Sequence, residues 1–327
     1  MAPIEAAKRK LDRKKLGYGD KNAALILDKY TLFVEQSDQK ETLQNVISKF
    51  KADRYLLSQA KKLHNSLRNG KYKATVFTGT LRSPMALHLS RSNGLENAGI
   101  CMHPTYCVPY LPGSGLKGLA RAYAETEWLK GQKDKEAAQV TIDRIFGYAD
   151  EKKRKEKLKN GEAKNDVDAA GKEIKSKAGS VVFHDALPVE ELQLGLEITN
   201  CHHGDYYGAS DNVPAPGDWE NPVPVYYPVV KPQSVFSFAV SPTSRTKGND
   251  LAKAVEWLQG ALAFLGAGAK TAQGFGRFED LPNPPTSLSR AMHSREYTMW
   301  IITPAFLGNA KGQLDSHNPL RPATVKG

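Results

Sequence analysis

The sequence predicts an α+β domain of the ferredoxin-like kind, and three observations carry that expectation. Between Tyr72 and Glu279 the apolar patterning switches in the order strand, helix, strand, strand, helix, strand, which is the split βαβ arrangement. A turn at Pro112-Gly113 opens a helix in which Leu116, Leu119, Ala120 and Tyr123 recur at helical spacing,. A glycine-rich loop, Gly266 to Phe278, leads from the second helix into the last strand,.

Taken in order, residues 1–70 read as a basic arm and a helical extension. Lys8, Arg9, Lys10, Arg13, Lys14 and Lys15 oppose only Glu5 and Asp12 in the first 18 residues, so this arm either touches nucleic acid or is simply solvated. One helical face runs from Thr42 to Leu67 through Leu43, Val46, Ile47, Phe50, Leu56, Leu57, Ala60 and Leu63, and Asn69-Gly70 closes it,. Tyr72 to Thr80 alternates as a strand, with Arg82 just past its end,. A long connection over 83–108 carries His88, Arg91, His103 and Tyr106. The helix after Gly113 is expected to start at Ser114 as N-cap and to run to about Trp128.

Residues 151–178 hold ten basic and six acidic side chains with almost no large apolar one, the composition of a solvated or disordered insertion. Ser180–Phe183, Leu192–Ile198 and Ser234–Val240 read as strands. Thr199 to Tyr226 reads as a polar, aromatic-laced loop around Cys201-His202-His203-Gly204-Asp205-Tyr206-Tyr207. Asn249-Asp250 caps a helix to about Leu265, which Gly266 ends. The stretch 71–280 is therefore the main domain. Residues 281–296 form a proline-bearing linker, and Tyr297–Thr303 is a further strand.

The 327 residues carry a net charge of +11, 40% apolar side chains and three cysteines. The charge favours a polyanionic partner. Odd, sparse cysteines argue for a reducing, cytoplasmic setting, and no apolar run has the ~18 residues of a membrane span.

A glycine-bearing turn at a helix N-terminus is an anion site, and Lys117 and Arg121 stand one turn apart beside it. A nucleotide phosphate loop is excluded: no glycine precedes Lys117, Gly118 replaces the hydroxyl, and Lys270 follows a helix rather than a strand,. Cys101, His103, Cys107, Cys201, His202 and His203 are zinc-type ligands, but Cys-x-His-x3-Cys fits no common zinc spacing, so no metal or other cofactor is expected. His88, His103, His184 and His203 could serve acid–base cleavage of RNA, although nothing in the sequence brings them together. Cations along a groove with aromatic platforms suit single-stranded RNA. The candidate RNA contacts are Arg82, His103, Tyr106, Ser114, Lys117, Arg121, His202, His203, Tyr206, Lys270 and Arg277.

Several segments together resemble a known family. His103-Pro104-Thr105-Tyr106 with Val108 to Gly118 resembles the signature of the RAMP proteins of type III CRISPR effectors, whose domains are RRM-like, and Gly266 to Phe278 resembles their C-terminal glycine-rich loop. Cys201 to Tyr207 with Asp218-Trp219-Glu220-Asn221-Pro222-Val223-Pro224-Val225 is similar to the branch that forms the sixth subunit of type III-B complexes. The resemblance covers roughly residues 20 to 280. It implies a non-catalytic subunit that caps the effector filament and contacts the 3′ part of the guide RNA (crRNA) and the target RNA, alongside other RAMP subunits, in antiviral defence. Related backbone subunits cut target RNA with an aspartate in the loop before the glycine motif. Here Glu96 is the one acid between Gly94 and Tyr110, so slicing by this chain is not expected. Gly115 stands where many relatives have serine. A guide-processing endoribonuclease of the same fold is the alternative.

Leu320 to Gly327 echoes Leu111 to Gly118 in its Leu and Lys-Gly positions, and Trp300 to Gly308 resembles the opening of another RAMP subunit, the first of type III-B complexes. The expectation is that 281–327 is a linker and the start of a second RAMP domain in a fused chain.

Overall fold

The computed structural model describes residues 36–89, 99–148, 177–201 and 222–284. The basic arm, most of the charged insertion, His202, His203, Tyr206 and the expected second-domain opening lie outside the described residues. The chain divides into residues 1–290 and residues 291–327.

Strand β1 (Thr75–Leu81) lies inside a sheet ordered β4-β8-β1-β9, where β4 is Val181–Phe183, β8 is Val235–Pro242 and β9 is Phe278–Glu279. Every pairing is antiparallel; Thr75 faces Val240 and Thr80 faces Val235. β5 (Leu187–Pro188) also pairs with β8. Side chains of a strand alternate between faces, and β8 uses both. Phe236, Phe238 and Val240 are fully buried in the main core with Trp257 and Leu258 of helix α5 (Asp250–Gly260) and Leu116 and Ala120 of helix α3 (Gly113–Tyr123). Ser237 and Ala239 point the other way, onto helix α2 (Arg54–Asn69): Ala239 packs with Leu67, and the His64 ring Nδ1 lies 2.7 Å from Ser237 Oγ. The sheet is thus covered on both faces.

The single helix expected over 42–67 is two. Helix α1 spans Gln36–Lys49, the chain breaks, and Asp53 caps α2 by accepting the Leu56 N–H at 3.0 Å. The apolar period continues across the break because the halves serve different partners. α1 packs on a hairpin of β6 (Leu194–Cys201) and β7 (Val223–Val230), and α2 packs on the sheet. Leu63, expected inside, is 42% exposed, and His64 takes the inward position at 3%.

Further elements differ from expectation. Helix α4 (Lys135–Phe146), capped by Asp134, fills a stretch given no element, and a short β2 (Gly147–Tyr148) pairs with β3 (Lys177–Ala178). β7 occupies the end of the expected loop, in register with β6 from Leu194–Val230 to Cys201–Val223. Pro224 and Pro228 disguise it; β7 tolerates them because, among the described residues, β6 is its one long strand partner,. No described helix is long and apolar enough to cross a membrane.

Candidate nucleic-acid interface

Helix α3 begins at Gly113, with Pro112 in the cap position and no side-chain cap of its own. That corrects the expected Ser114 cap. The first N–H, from Gly113, instead donates to Asp185 Oδ1 at 2.7 Å, a carboxylate 72 positions away. A negative group at a helix N-terminus is favourable, so the chain supplies part of what an incoming anion would. A Cβ at Gly113 would collide with the Phe183 carbonyl, which fixes glycine there. Ser114 is exposed and Lys117 half-buried. Arg121 is not a second unpaired cation: its Nε donates to Glu125 at 2.7 Å, its Nη1 donates to the Gly147 carbonyl at 3.2 Å, and Asp143 lies 3.8 Å away.

His103 sits in a tight loop closed by the Met102–Pro109 bridge and by the Cys107 N–H on its carbonyl at 2.8 Å. Its Nδ1 accepts the N–H groups of Thr105 and Tyr106, each at 3.2 Å. The ring stacks on Tyr106 at 4.5 Å and meets Tyr110 edge-on at 5.1 Å. Burial pushes its pKa down, against the opposing pull of Asp185. A neutral ring with Nδ1 committed to the backbone is a loop anchor that presents Tyr106. His184 is held by Ser241 Oγ at 2.8 Å, and burial lowers its pKa as well. His88 is exposed. Cys101 is buried and Cys107 half-buried. Among the described residues no three His, Cys, Asp or Glu side chains gather as metal ligands do.

The glycine-rich loop forms the second group. It is stitched to the segment after β1: Arg82 N–H donates to the Arg277 carbonyl at 2.7 Å, Arg277 N–H to Ser83 Oγ at 3.0 Å, Gly276 N–H to the Pro84 carbonyl at 2.8 Å, and Ala269 N–H to the Ala86 carbonyl at 2.7 Å. Gly268 and Gly276 have φ of +93° and +71°, and a Cβ on either would strike a carbonyl, of Ala86 and Ala267 respectively. Glycine alone allows so close an approach of two backbones. Lys270 adopts the left-handed conformation, φ 58°. Its Nζ donates to Thr199 Oγ1 at 2.8 Å and lies 5.1 Å from the centre of the Tyr227 ring. Arg277 Nη2 donates to the Thr271 carbonyl at 3.4 Å, while Nη1 is buried with no hydrogen-bond partner among the described residues; burial lowers its pKa. Arg82 is exposed, 3.9 Å from Glu279.

The fold therefore places Arg82, Lys270 and Arg277 on and beside the glycine loop, and His103, Tyr106, Ser114 and Lys117 around the start of α3. His202, His203 and Tyr206 fall in the connection between β6 and β7, outside the described residues. Since Lys270 grips Thr199 on β6, the glycine loop is tied to the strand that leads into that connection. Asp185, Ser83, Thr199 and Tyr227 were missed. Each acts through a partner more than 27 positions away, which no local pattern signals; the glycine spacing was the available sign of the close approach.

The chain spans 58% of the length of one curated relative, the CRISPR system Cmr subunit Cmr6 of Pyrococcus furiosus, at 33% identity over 203 residues, or 53% of this chain. A chain in the cryo-EM structure of the type III-B Cmr-beta bound to cognate target RNA superposes with a TM-score of 0.51 at 20% identity, covering 86% of this chain and 87% of that one, a likeness of fold. The model of the RAMP superfamily matches residues 67–279. That match spans β1 to β9, both glycine motifs and more than half of the sequence, and the protein belongs to the RAMP superfamily.

Proposed function

We propose that this protein is a non-catalytic RNA-binding subunit of a type III-B CRISPR ribonucleoprotein, acting in antiviral defence. It caps the filament and contacts the 3′ part of the guide RNA and the target RNA, next to other RAMP subunits. The observation that carries the reading is the glycine loop. Gly268 and Gly276 bring two backbones together while Arg82, Lys270 and Arg277 concentrate positive charge there, and the one carboxylate paired with them among the described residues is Glu279, 3.9 Å from Arg82. Cations held by a loop that the glycines lock in place suit the phosphates of a sugar-phosphate chain. Similarity to Cmr6 supports the assignment to a type III-B complex, and the strand order β4-β8-β1-β9 supports a ferredoxin-like domain over 71–280. The reading keeps 1–70 as arm and extension and 281–327 as the opening of a second domain.

Lys117 joins the phosphate contacts from α3, and Tyr106, His202, His203 and Tyr206 lie by the bases. Arg121 contributes through Glu125 and Asp143 to the shape of α3 rather than to RNA. The test is binding of guide RNA to the purified chain over a range of salt. Arg82→Ala or Lys117→Ala is expected to weaken binding uniformly across sequences and to lower the salt slope by about 0.7. Unchanged affinity and slope in both variants would overturn the contacts. Metal-independent cutting of labelled repeat RNA by the isolated chain, lost in His103→Ala or His184→Ala, would replace the reading with the guide-processing endoribonuclease.

A further inference from the structure

In an RRM-like sheet, RNA bases stack on aromatic side chains of the open sheet face. Here that face is closed. α2 lies across it, with Leu57, Ala60, His64 and Leu67 inward and Ser237 and Ala239 of β8 beneath. What this side of the protein presents instead is the outer surface of α2 and the turn that follows it.

That surface is strongly basic. From Arg54 to Thr80 there are six Lys and Arg residues and no Asp or Glu. Arg54, Lys61 and Arg68 recur every seven residues, so they form a row along one side of the helix, about 10 Å apart. Lys62, Lys71 and Lys73 are exposed beside that row. Two large aromatics stand in the open among them: Tyr55 at 69% and Tyr72 at 48% exposure, the latter with Lys71 Nζ 5.2 Å from its ring centre. Among the described residues the row meets one carboxylate, Glu191, at 3.8 Å from Arg54. Arg68 Nη2 donates to the Val76 carbonyl at 3.0 Å, but the buried stripe is complete without the other cations of the row. The basic residues at the helix C-terminus favour its dipole, but that does not account for Lys61, Lys62 or the exposed Tyr55.

We infer that the outer face of α2, with the Lys71–Lys73 turn, is a second single-stranded RNA-binding surface, separate from the glycine loop, in which the lysines take phosphates and Tyr55 and Tyr72 stack bases. It rests on the RNA-binding reading above. Aromatic platforms interleaved with cations and poor in acids match a single-stranded nucleic acid; an acidic protein surface would need the cations but not the tyrosines.

The experiment uses the full chain and a labelled single-stranded RNA of about 40 nucleotides, long enough to reach beyond one site of ~4–16 nucleotides. Lys61→Gln, Lys62→Gln, Lys71→Gln and Lys73→Gln together remove four exposed charges, and a thermal melt matching wild type checks the fold. The expected result is binding at least about tenfold weaker at low salt, with a slope smaller by ~1.4 or more, two or more phosphates at ~0.7 each. Tyr55→Ala with Tyr72→Ala is expected to weaken binding about fivefold or more with the slope unchanged, because stacking is not ionic. Failure of the wild-type chain to bind RNA sinks the RNA reading as a whole. If wild type binds, Arg82→Ala weakens it and the four-lysine variant binds as wild type, the α2 surface alone is overturned. Loss of association with an acidic protein, with RNA binding intact, overturns it equally.

Discussion

Lys270 Nζ donates a 2.8 Å hydrogen bond to Thr199 Oγ1, joining the glycine loop to β6. The Thr199 and Tyr227 side chains are themselves hydrogen-bonded, and burial raises the Tyr227 pKa. One of three ammonium protons is used on a neutral partner, so the charge is positioned but not neutralised. Lys270→Met is therefore expected to weaken RNA binding and to lower its salt slope by about 0.7. Thr199→Val is expected to weaken binding less and to leave the slope alone, because it loosens the lysine without removing charge. A Thr199→Val slope that drops as far as that of Lys270→Met would contradict this division.

Not all of the glycines in the two motifs are required. Gly268→Ala and Gly276→Ala force a Cβ into a carbonyl at positive φ, and each is expected to destabilise by about 2 kcal/mol or more. At Gly115 and Gly118 an added Cβ would meet nothing within 4 Å. Gly115→Ala and Gly118→Ala are expected to stabilise α3 by about 0.5–1 kcal/mol each. Urea titration of the four variants checks both signs.

Asp250, at 1% exposure, is held by Arg144 through Nε at 3.0 Å and Nη2 at 2.8 Å, by Ser180 Oγ at 3.0 Å and by the Lys247 N–H at 3.1 Å. Burial disfavours its charge, but these donors outweigh that and keep its pKa below the usual carboxylate value. Arg144→Ala is expected to cost about 2–3 kcal/mol, less than for a fully buried pair because Arg144 is one-third exposed,. The Asp250 contribution is present above the unfolded carboxylate pKa and is lost as pH falls through the lower folded value. An unfolding midpoint in Arg144→Ala equal to wild type would refute the assignment.

His64 ties α2 to the sheet through Ser237 and, from its other ring nitrogen, the Asp185 carbonyl at 3.0 Å. Burial lowers its pKa below the ordinary 6.5, with His184 adding to the effect and hydrogen bonding and charge from Asp185 opposing it. The unfolded chain thus binds the proton more readily. Stability from this neutral ring is full above about pH 6.5 and falls as pH drops through the folded pKa. His64→Gln is expected to flatten the loss of stability as pH falls below about 6.5, measured by urea midpoints.

By itself the sequence determined the mixed helix-and-strand character, the strand that begins after Tyr72, the helix after Gly113, the helix after Asp250 and both glycine loops. Each is written in contiguous residues, as an apolar period or a glycine that a turn requires. The superfamily was legible for the same reason, since its signatures are runs of adjacent residues such as Val108 to Gly118. Tertiary structure decided what those runs face. Asp185 caps α3 in place of Ser114, Glu125 and Asp143 engage Arg121, and Thr199 with Tyr227 positions Lys270. The hairpin partner of β6 also lay hidden, because Pro224 and Pro228 break the local strand pattern that only pairing with β6 restores. Local pattern reports which face of an element is apolar; which distant charge or hydroxyl meets it depends on chain crossings that no neighbouring residue encodes.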